Sequence, residues 1–300
     1  MADTYPSRPV HLLVGYAPGG GNDIAARLMA QWLSQRLGQS FVVENRPGAG
    51  SNLATETVVN ARPDGYTLLL VNPANAVNAT LYDKLNFNFL HDIKPVAGIS
   101  KVPAIIVVNP SLAAKTVPEL IAYAKANPGK SNYATGGIGT ESHMAGELFK
   151  MMAGVDLVTV NYRGTAPAIA ALLGGQVEVS FPSVPAAIEQ VKAGKLRALG
   201  VGGATRSELL PNVPTVGEFV PGYEASTWYG LGVAKNAPTE IVDKLNREVN
   251  AAFADPVMKM RLAELSGTLL AGAPADFGKF VADETEKWGK VIRAANIKLQ

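Results

Sequence analysis

The residues best placed to do chemistry in this chain are glycines. The run Val10-His11-Leu12-Leu13-Val14 empties into Gly15-Tyr16-Ala17-Pro18-Gly19-Gly20-Gly21-Asn22-Asp23. That is a short β-forming stretch, a glycine turn, and an amphipathic helix predicted from about Asp23. Such a junction aims unpaired main-chain N–H groups and the positive end of a helix dipole at one point, which suits an anion. No lysine follows the glycines, so this is not a nucleoside-triphosphate loop, and the spacing is not G-x-G-x-x-G, so the dinucleotide fingerprint fails. A cradle for a small anion such as a carboxylate remains. The loop alone does not separate that reading from a turn that merely joins strand to helix.

A second glycine loop, Thr135-Gly136-Gly137-Ile138-Gly139-Thr140, follows the predicted strand Ser131–Ala134 and leads through Glu141-Ser142-His143 into another helix. Thr135 and Thr140 offer hydroxyl donors, and the glycines let backbone amides approach a ligand closely. Two such loops, one in each half, favour paired anion nests over two coincidental turns. Other candidates are open. Asn72, Asn75 and Asn78 follow an apolar strand and either bind a ligand or form Asx-turns. Arg163 either clamps a carboxylate or is a surface arginine. Asp23 and Arg27, at i and i+4, are expected to pair with each other or cap the helix. Trp228 and Tyr229 are expected in the core, with cleft lining as the minor reading.

Much chemistry is absent. His11, His91 and His143 have no metal-ligand spacing, H-E-x-x-H is missing, and there is no G-x-S-x-G elbow. The chain has no cysteine, which excludes thiol catalysis and disulfides. Carboxylate pairs such as Glu56/Asp64 and Glu284/Glu286 sit where solvated faces are expected. No cofactor and no metal are expected. With 300 residues, 47% hydrophobic and 17% charged, the chain can bury a core in about two domains. A net charge of +2 without a basic run argues against nucleic acid. No apolar run approaches the length of a transmembrane helix. Met1-Ala2-Asp3 leads into polar residues rather than a secretory leader, so a cytosolic protein and a mature secreted chain both stand.

The elements that must hold the loops alternate between strand and helix. Helices are predicted over Asp23–Leu37 (with Ile24, Leu28 and Trp32 as its apolar face), from Ser51 or Asn52 to Val59, from a Thr116-Val117-Pro118-Glu119 capping box to Ala126, to Met152, over Thr165–Leu173 and over Val184–Ala193. Strands are predicted over residues 40–43, 66–71, 104–108, 131–134, 156–160, 177–181, 197–201 and 223–234. Two helices beginning near Thr239 and Pro256 follow. A final helix carries Phe277, Phe280, Val281, Trp288, Val291 and Ile292 on one face. The expected fold is α/β in two lobes, residues 1–100 plus 221–300 and residues 101–220, joined by two hinge strands near 98–104 and 221–230. The intervening cleft is the expected ligand site, at the carboxyl edges of the strands.

Taken together, these stretches resemble the Bug-type solute-binding proteins of tripartite tricarboxylate transporters. The resemblance rests on Tyr16–Gly20 with Asp23 and Arg27, Val43–Gly50, Pro63–Thr67, Gly136–His143, Tyr162-Arg163-Gly164, Leu173–Val177, Arg206–Pro211 with Val213-Pro214-Thr215, and Trp228–Leu231. It covers nearly the whole chain. It implies a periplasmic, monomeric, non-catalytic binding protein of the Venus flytrap, type II-like fold, whose leader has been removed and which works with membrane permease subunits. It further implies a small carboxylate ligand (a di- or tricarboxylate or an aromatic acid). The ligand would be held by Tyr16, Ala17, Pro18, Gly19, Gly20 and Asn22 of the first loop and by Thr135, Gly136, Gly137, Gly139 and Thr140 of the second. Asn75, Arg163 and Ser183 complete the candidate set. Many relatives carry an acid after the residue matching Phe181. Here Pro182 and Ser183 follow, which favours a purely acidic ligand. An organic-acid enzyme with Glu141 or His143 as base, and a sensor docking on a receptor kinase, are the rival functions.

Overall fold

The computed structural model describes residues 5–264 and 267–299. It forms two compact units, one made of the chain up to Lys101 together with Trp228–Gly289, the other of Val102–Thr227 with the chain from Lys290 onward. In chain order the first segment holds β1 (Val10–Val14), α1 (Gly21–Leu37), β2 (Phe41–Asn45), α2 (Asn52–Val59), β3 (Thr67–Val71), α3 (Pro73–Leu81), α4 (Phe89–Asp92) and β4 (Ile93–Pro103). The middle segment holds β5 (Ile105–Val108), α5 (Val117–Ala126), β6 (Asn132–Thr135), α6 (Glu141–Ala153), β7 (Val158–Asn161), α7 (Thr165–Leu173), β8 (Val179–Ser180), α8 (Val184–Lys192) and β9 (Arg197–Val201). The return holds β10 (Ser226–Ala234), α9 (Thr239–Ala252), α10 (Pro256–Glu264), β11 (Thr268–Leu269) and α11 (Pro274–Ala294). The ends of β4, β10 and α11 carry the chain from one unit to the other.

In the first unit the sheet order is β11-β4-β10-β3-β1-β2, with β1 parallel to both β2 and β3 and β10 antiparallel to β3. Leu12, Leu13, Leu68, Leu69, Leu70 and Val71 are fully buried, as unbroken apolar runs covered on both faces must be. Each such side chain contributes about 1.5–3 kcal/mol by leaving water. In α1 the buried apolar stripe is Ala25, Ala26, Leu28, Met29, Ala30 and Leu33, so of the expected face Leu28 is buried while Ile24 and Trp32 are not. Ile24 is 45% exposed. Trp32 instead lies against α9, its indole N–H donating to the Glu248 carbonyl at 2.7 Å, and Arg36 pairs with the Glu248 carboxylate at 2.8 Å. The helix was legible, but its face is turned by about one residue, which is about 100°.

The reading of Glu284 as a solvated carboxylate is also corrected. It is buried and accepts the indole N–H of both Trp228, at 3.1 Å, and Trp288, at 2.9 Å, and it pairs with Lys287. Phe277 and Phe280 pack their rings around Trp228, so Trp228 belongs to the core.

In the second unit the order is β7-β6-β8-β5-β9, with β6 parallel to β7 and β8 and β5 antiparallel to β8 and β9. The parallel trio places the starts of α6, α7 and α8 along one sheet edge. The expected capping box at Thr116 is half formed. Its hydroxyl accepts the Glu119 N–H at 3.2 Å, while the Glu119 carboxylate reaches one residue further back, to the Lys115 N–H at 2.7 Å.

Candidate functional site

In the first unit, α1 starts two residues earlier than predicted, at Gly21, with Gly20 as its N-cap and no side-chain cap. The first intrahelical bond runs from the Ile24 N–H to the Gly20 carbonyl. The N–H groups of Gly21, Asn22 and Asp23 therefore lack an intrahelical acceptor, as at any helix start. Asp23 is structural. Its Oδ2 accepts the Gly19 N–H and the Arg27 Nε–H, each at 2.9 Å, and its Oδ1 accepts from Asn45 Nδ2 at 2.9 Å. These donors hold its carboxyl below the usual aspartate range against the effect of burial. Asn45, which sequence reasoning missed, also donates to the Tyr16 carbonyl at 3.0 Å and so positions the first loop. Burial pushes the Tyr16 phenol up to about 12, so it stays neutral. Ala17, Pro18, Gly19 and Gly20 are exposed.

The neighbouring helix starts in this unit differ. Ser51 stands at the N-cap of α2 in left-handed backbone and forms no cap bond. Its hydroxyl is buried without a hydrogen-bond partner, as is Asn22 Oδ1. At α3 the start is closed. Asn72 caps it, accepting the Ala74 N–H at 3.0 Å, and Asn75 Oδ1 accepts the Asn72 N–H at 2.9 Å. Asn75 Nδ2 donates to Thr55 Oγ1 at 2.8 Å, and Asn75 is only 2% exposed. The asparagines are thus a capping device, and Asn75 is spent on the helices behind the loops.

In the second unit the starts of α6, α7 and α8 have Thr140, Gly164 and Ser183 at their N-caps, and none of the three makes a side-chain cap bond. The second loop is folded by its own bonds. The Gly136 N–H donates to Ser142 Oγ at 2.9 Å, the Gly137 N–H to Thr135 Oγ1 at 3.0 Å, and the Gly139 N–H to His143 Nδ1 at 3.1 Å. Gly137 and Gly139 have φ of 122° and 76°, which side chains with a Cβ rarely adopt.

The structure corrects the two hydroxyls read as ligand donors. Thr135 Oγ1 donates to Asn161 Oδ1 at 2.7 Å, and Thr140 Oγ1 donates to the Gly137 carbonyl at 2.7 Å. A hydroxyl has one proton, and both are used to shape the loop. The glycine amides expected to meet a ligand are likewise occupied. The groups left without an intrahelical acceptor are the N–H groups of Glu141, Ser142 and His143, because the first α6 bond is Met144 N–H to Thr140 carbonyl. Ser142, His143 and Asn161 were missed as loop supports. For Ser142 and His143 the only signal was that they open the helix after the glycines, and Asn161, at the end of β7, gave none. The second loop also abuts the Tyr162–Gly164 turn, with the Gly164 N–H donating to the Gly136 carbonyl at 3.1 Å. That turn carries Arg163, which is exposed.

Glu141 and His143 bear on the enzyme alternative. Glu141 Oε1 is buried without a partner. Burial, opposed only by the approach of the Thr227 N–H, pushes its carboxyl up to about 8. It is therefore a neutral acid near pH 7 and a poor base there. The unfolded carboxyl ionises near its ordinary value, so the stability contributed by the protonated form is lost as pH rises from about 4.5 to about 8. The melting temperature of wild-type protein is expected to fall across that window, and Glu141→Gln to remove that part of the fall. An unchanged profile in the variant would contradict this environment.

Comparison with known proteins places the chain in a family. The family described as "Tripartite tricarboxylate transporter family receptor" matches residues 25–297. The protein BugT of Bordetella pertussis is 36% identical over 302 residues, covering 100% of this chain and 93% of its own. The chain belongs to the tripartite tricarboxylate transporter receptor family. Among solved structures of the family's fold, Rpa4515 of R. palustris with adipate aligns with a TM-score of 0.87 at 36% identity, covering 98% of this chain and 99% of that one. MatC from Rhodopseudomonas palustris with bound malate aligns with a TM-score of 0.82 at 30% identity, covering 96% and 100%. This receptor therefore has the mixed α/β fold of the periplasmic solute-binding proteins, with one sheet in each unit.

Proposed function

We propose that this receptor captures a small carboxylate outside the cytoplasm and delivers it to the permease subunits of a tripartite tricarboxylate transporter. The observation that carries the reading is the set of uncapped helix starts. Those that follow the two glycine-rich loops and their neighbouring turns are α1 in one unit and α6, α7 and α8 in the other, each of eight residues or more and each lacking the side-chain acceptor that ordinarily closes such an end; α2 and α9 are uncapped as well. A carboxylate supplies the missing acceptor and is favoured there by the helix dipoles.

The first loop, Tyr16–Gly20 with Asn22, and the second, Thr135–Thr140, serve carboxylate binding. Their amides at Gly21–Asp23 and Glu141–His143 are the donors. Arg163 and Ser183 reach the remainder of the ligand. Asn75 supports the first loop from behind. The protein acts as a periplasmic monomer and turns nothing over. With Pro182 and Ser183 where an acid would pair an ammonium, the ligand is purely acidic.

Adipate and malate, bound by the two relatives of known structure, are the first probes, followed by tricarboxylates, aromatic acids and amino acids. Native mass spectrometry and thermal shift should find a carboxylate that raises stability by about 2.7 kcal/mol at a hundredfold above its Kd. Binding of amino acids alone, or conversion of any bound acid, would overturn the reading.

A further inference from the structure

We propose that His143 is a positioning residue that keeps the second glycine loop in its anion-binding shape by accepting the Gly139 N–H, and that a proton on Nδ1 releases the loop. The inference rests on the carboxylate-receptor reading for its consequence but not for its geometry. His143 is 5% exposed and lies in the first turn of α6, and its Nδ1 stands 3.1 Å from the Gly139 nitrogen. A ring nitrogen that accepts must carry a lone pair, so the imidazole is neutral with its proton on Nε2. Protonation would set two N–H groups against each other in a buried place and leave the Gly139 amide without an acceptor. Gly139 is a left-handed residue within a loop tied together by its own hydrogen bonds, and it sits immediately before Thr140, the cap of α6. Its release would therefore disturb the donors at the helix start.

The surroundings favour the neutral ring at ordinary pH. Burial pushes His143 below the usual histidine range, and Lys150 pushes the same way, while Glu147 pulls upward. Glu147 is itself occupied by Lys150 at 3.0 Å, by the Tyr133 hydroxyl of β6 at 2.7 Å and by Thr159 of β7 at 2.9 Å. The phenols of Tyr133 and of Tyr223, which donates to the Ala145 carbonyl at 3.0 Å, are pushed upward by burial and stay neutral. Glu141, one turn position away, is a neutral acid on the acid side of pH 8. Among the described residues, Glu147 is the carboxylate that favours an imidazolium here, and it is already engaged by Lys150, Tyr133 and Thr159.

The test needs no ligand for its first half. In labelled full-length protein, the His143 ring nitrogens should report the Nε2–H tautomer at neutral pH. The Gly139 amide should be protected from exchange there and lose protection in step with His143 as pH falls. A Gly139 amide indifferent to His143 titration would overturn the proposal. For the second half, adipate and malate affinities are measured at about pH 7.5 and about pH 5. Wild type should weaken by about tenfold more than His143→Asn, whose Oδ1 can take over the acceptor role without titrating. The Asn variant controls for protonation of the acid itself. His143→Leu should be weak at both pH values, with rescue by Asn. Tighter wild-type binding at low pH, relative to the Asn variant, would mean that the imidazolium contacts the anion and would overturn the proposal. Coupled titration of Gly139 and His143 without binding of either acid would instead fail the carboxylate reading and leave the loop device standing.

Discussion

Replacing Gly20 by aspartate is expected to abolish carboxylate binding while leaving the protein at least as stable as wild type. Gly20 is the N-cap of α1, in extended backbone (φ −85°, ψ 172°), and a Cβ built there meets nothing within 4 Å. An N-cap aspartate places its own oxygen on the N–H groups two and three residues ahead. Those are the donors assigned to the ligand, so the new side chain would take the ligand's place. The helix gains a cap and a favourable dipole contact, worth about 0.3–1 kcal/mol. The ligand loses charge-assisted hydrogen bonds worth about 1.5–3 kcal/mol each, a loss of roughly a hundredfold or more. Calorimetry and thermal melting of the same sample separate the two effects. Gly20→Val should lose affinity as well, by covering the donors, without the gain in stability. Gly136 is a poorer test position, because a Cβ there would press on Gly164 and Thr165 at 3.3 Å and distort the Tyr162–Gly164 turn directly.

Glu284→Ala is expected to cost about 3–5 kcal/mol. The carboxylate satisfies two buried indole N–H groups and an ammonium. Truncation orphans the two indole N–H groups and opens a cavity beside Trp228, which is completely buried. Glu284→Gln keeps an acceptor and should cost much less. Denaturant unfolding of the three proteins reads the difference, and equal stability of Ala and Gln variants would contradict the assigned role of the acceptor.

Much of the architecture was legible because the periodicity of the chain is strong. β1, β3, α7 and β9 fall where their apolar patterns put them, and the glycine loops lie at the carboxyl ends of β1 and β6. Three kinds of feature were hidden. α3 read as an asparagine-rich loop, although Asn72 followed by Pro73 is a strong helix start. β4 was expected only as a hinge strand near 98–104, because it carries Pro95, Gly98 and Pro103, residues that weaken a longer strand reading until partners are known. Glu284 looked solvated because its two tryptophan donors lie 56 and 4 residues away.

The glycine loops were legible as junctions between strand and helix, but the bonds within them were not. The glycine amides and threonine hydroxyls looked like ligand donors. Their bonds to Ser142, His143, Asn161 and the Gly137 carbonyl depend on loop closure, which no spacing encodes. The free donors sit one step further on, at the helix starts themselves.

The most direct measurement is an amide-resolved NMR titration of the whole protein with adipate and malate. The account predicts that the amides of Gly21, Asn22 and Asp23 and those of Glu141, Ser142 and His143 shift together along one saturation curve, giving a single Kd. Shifts confined to one of the two groups, or saturation at sites remote from both helix starts, would contradict it.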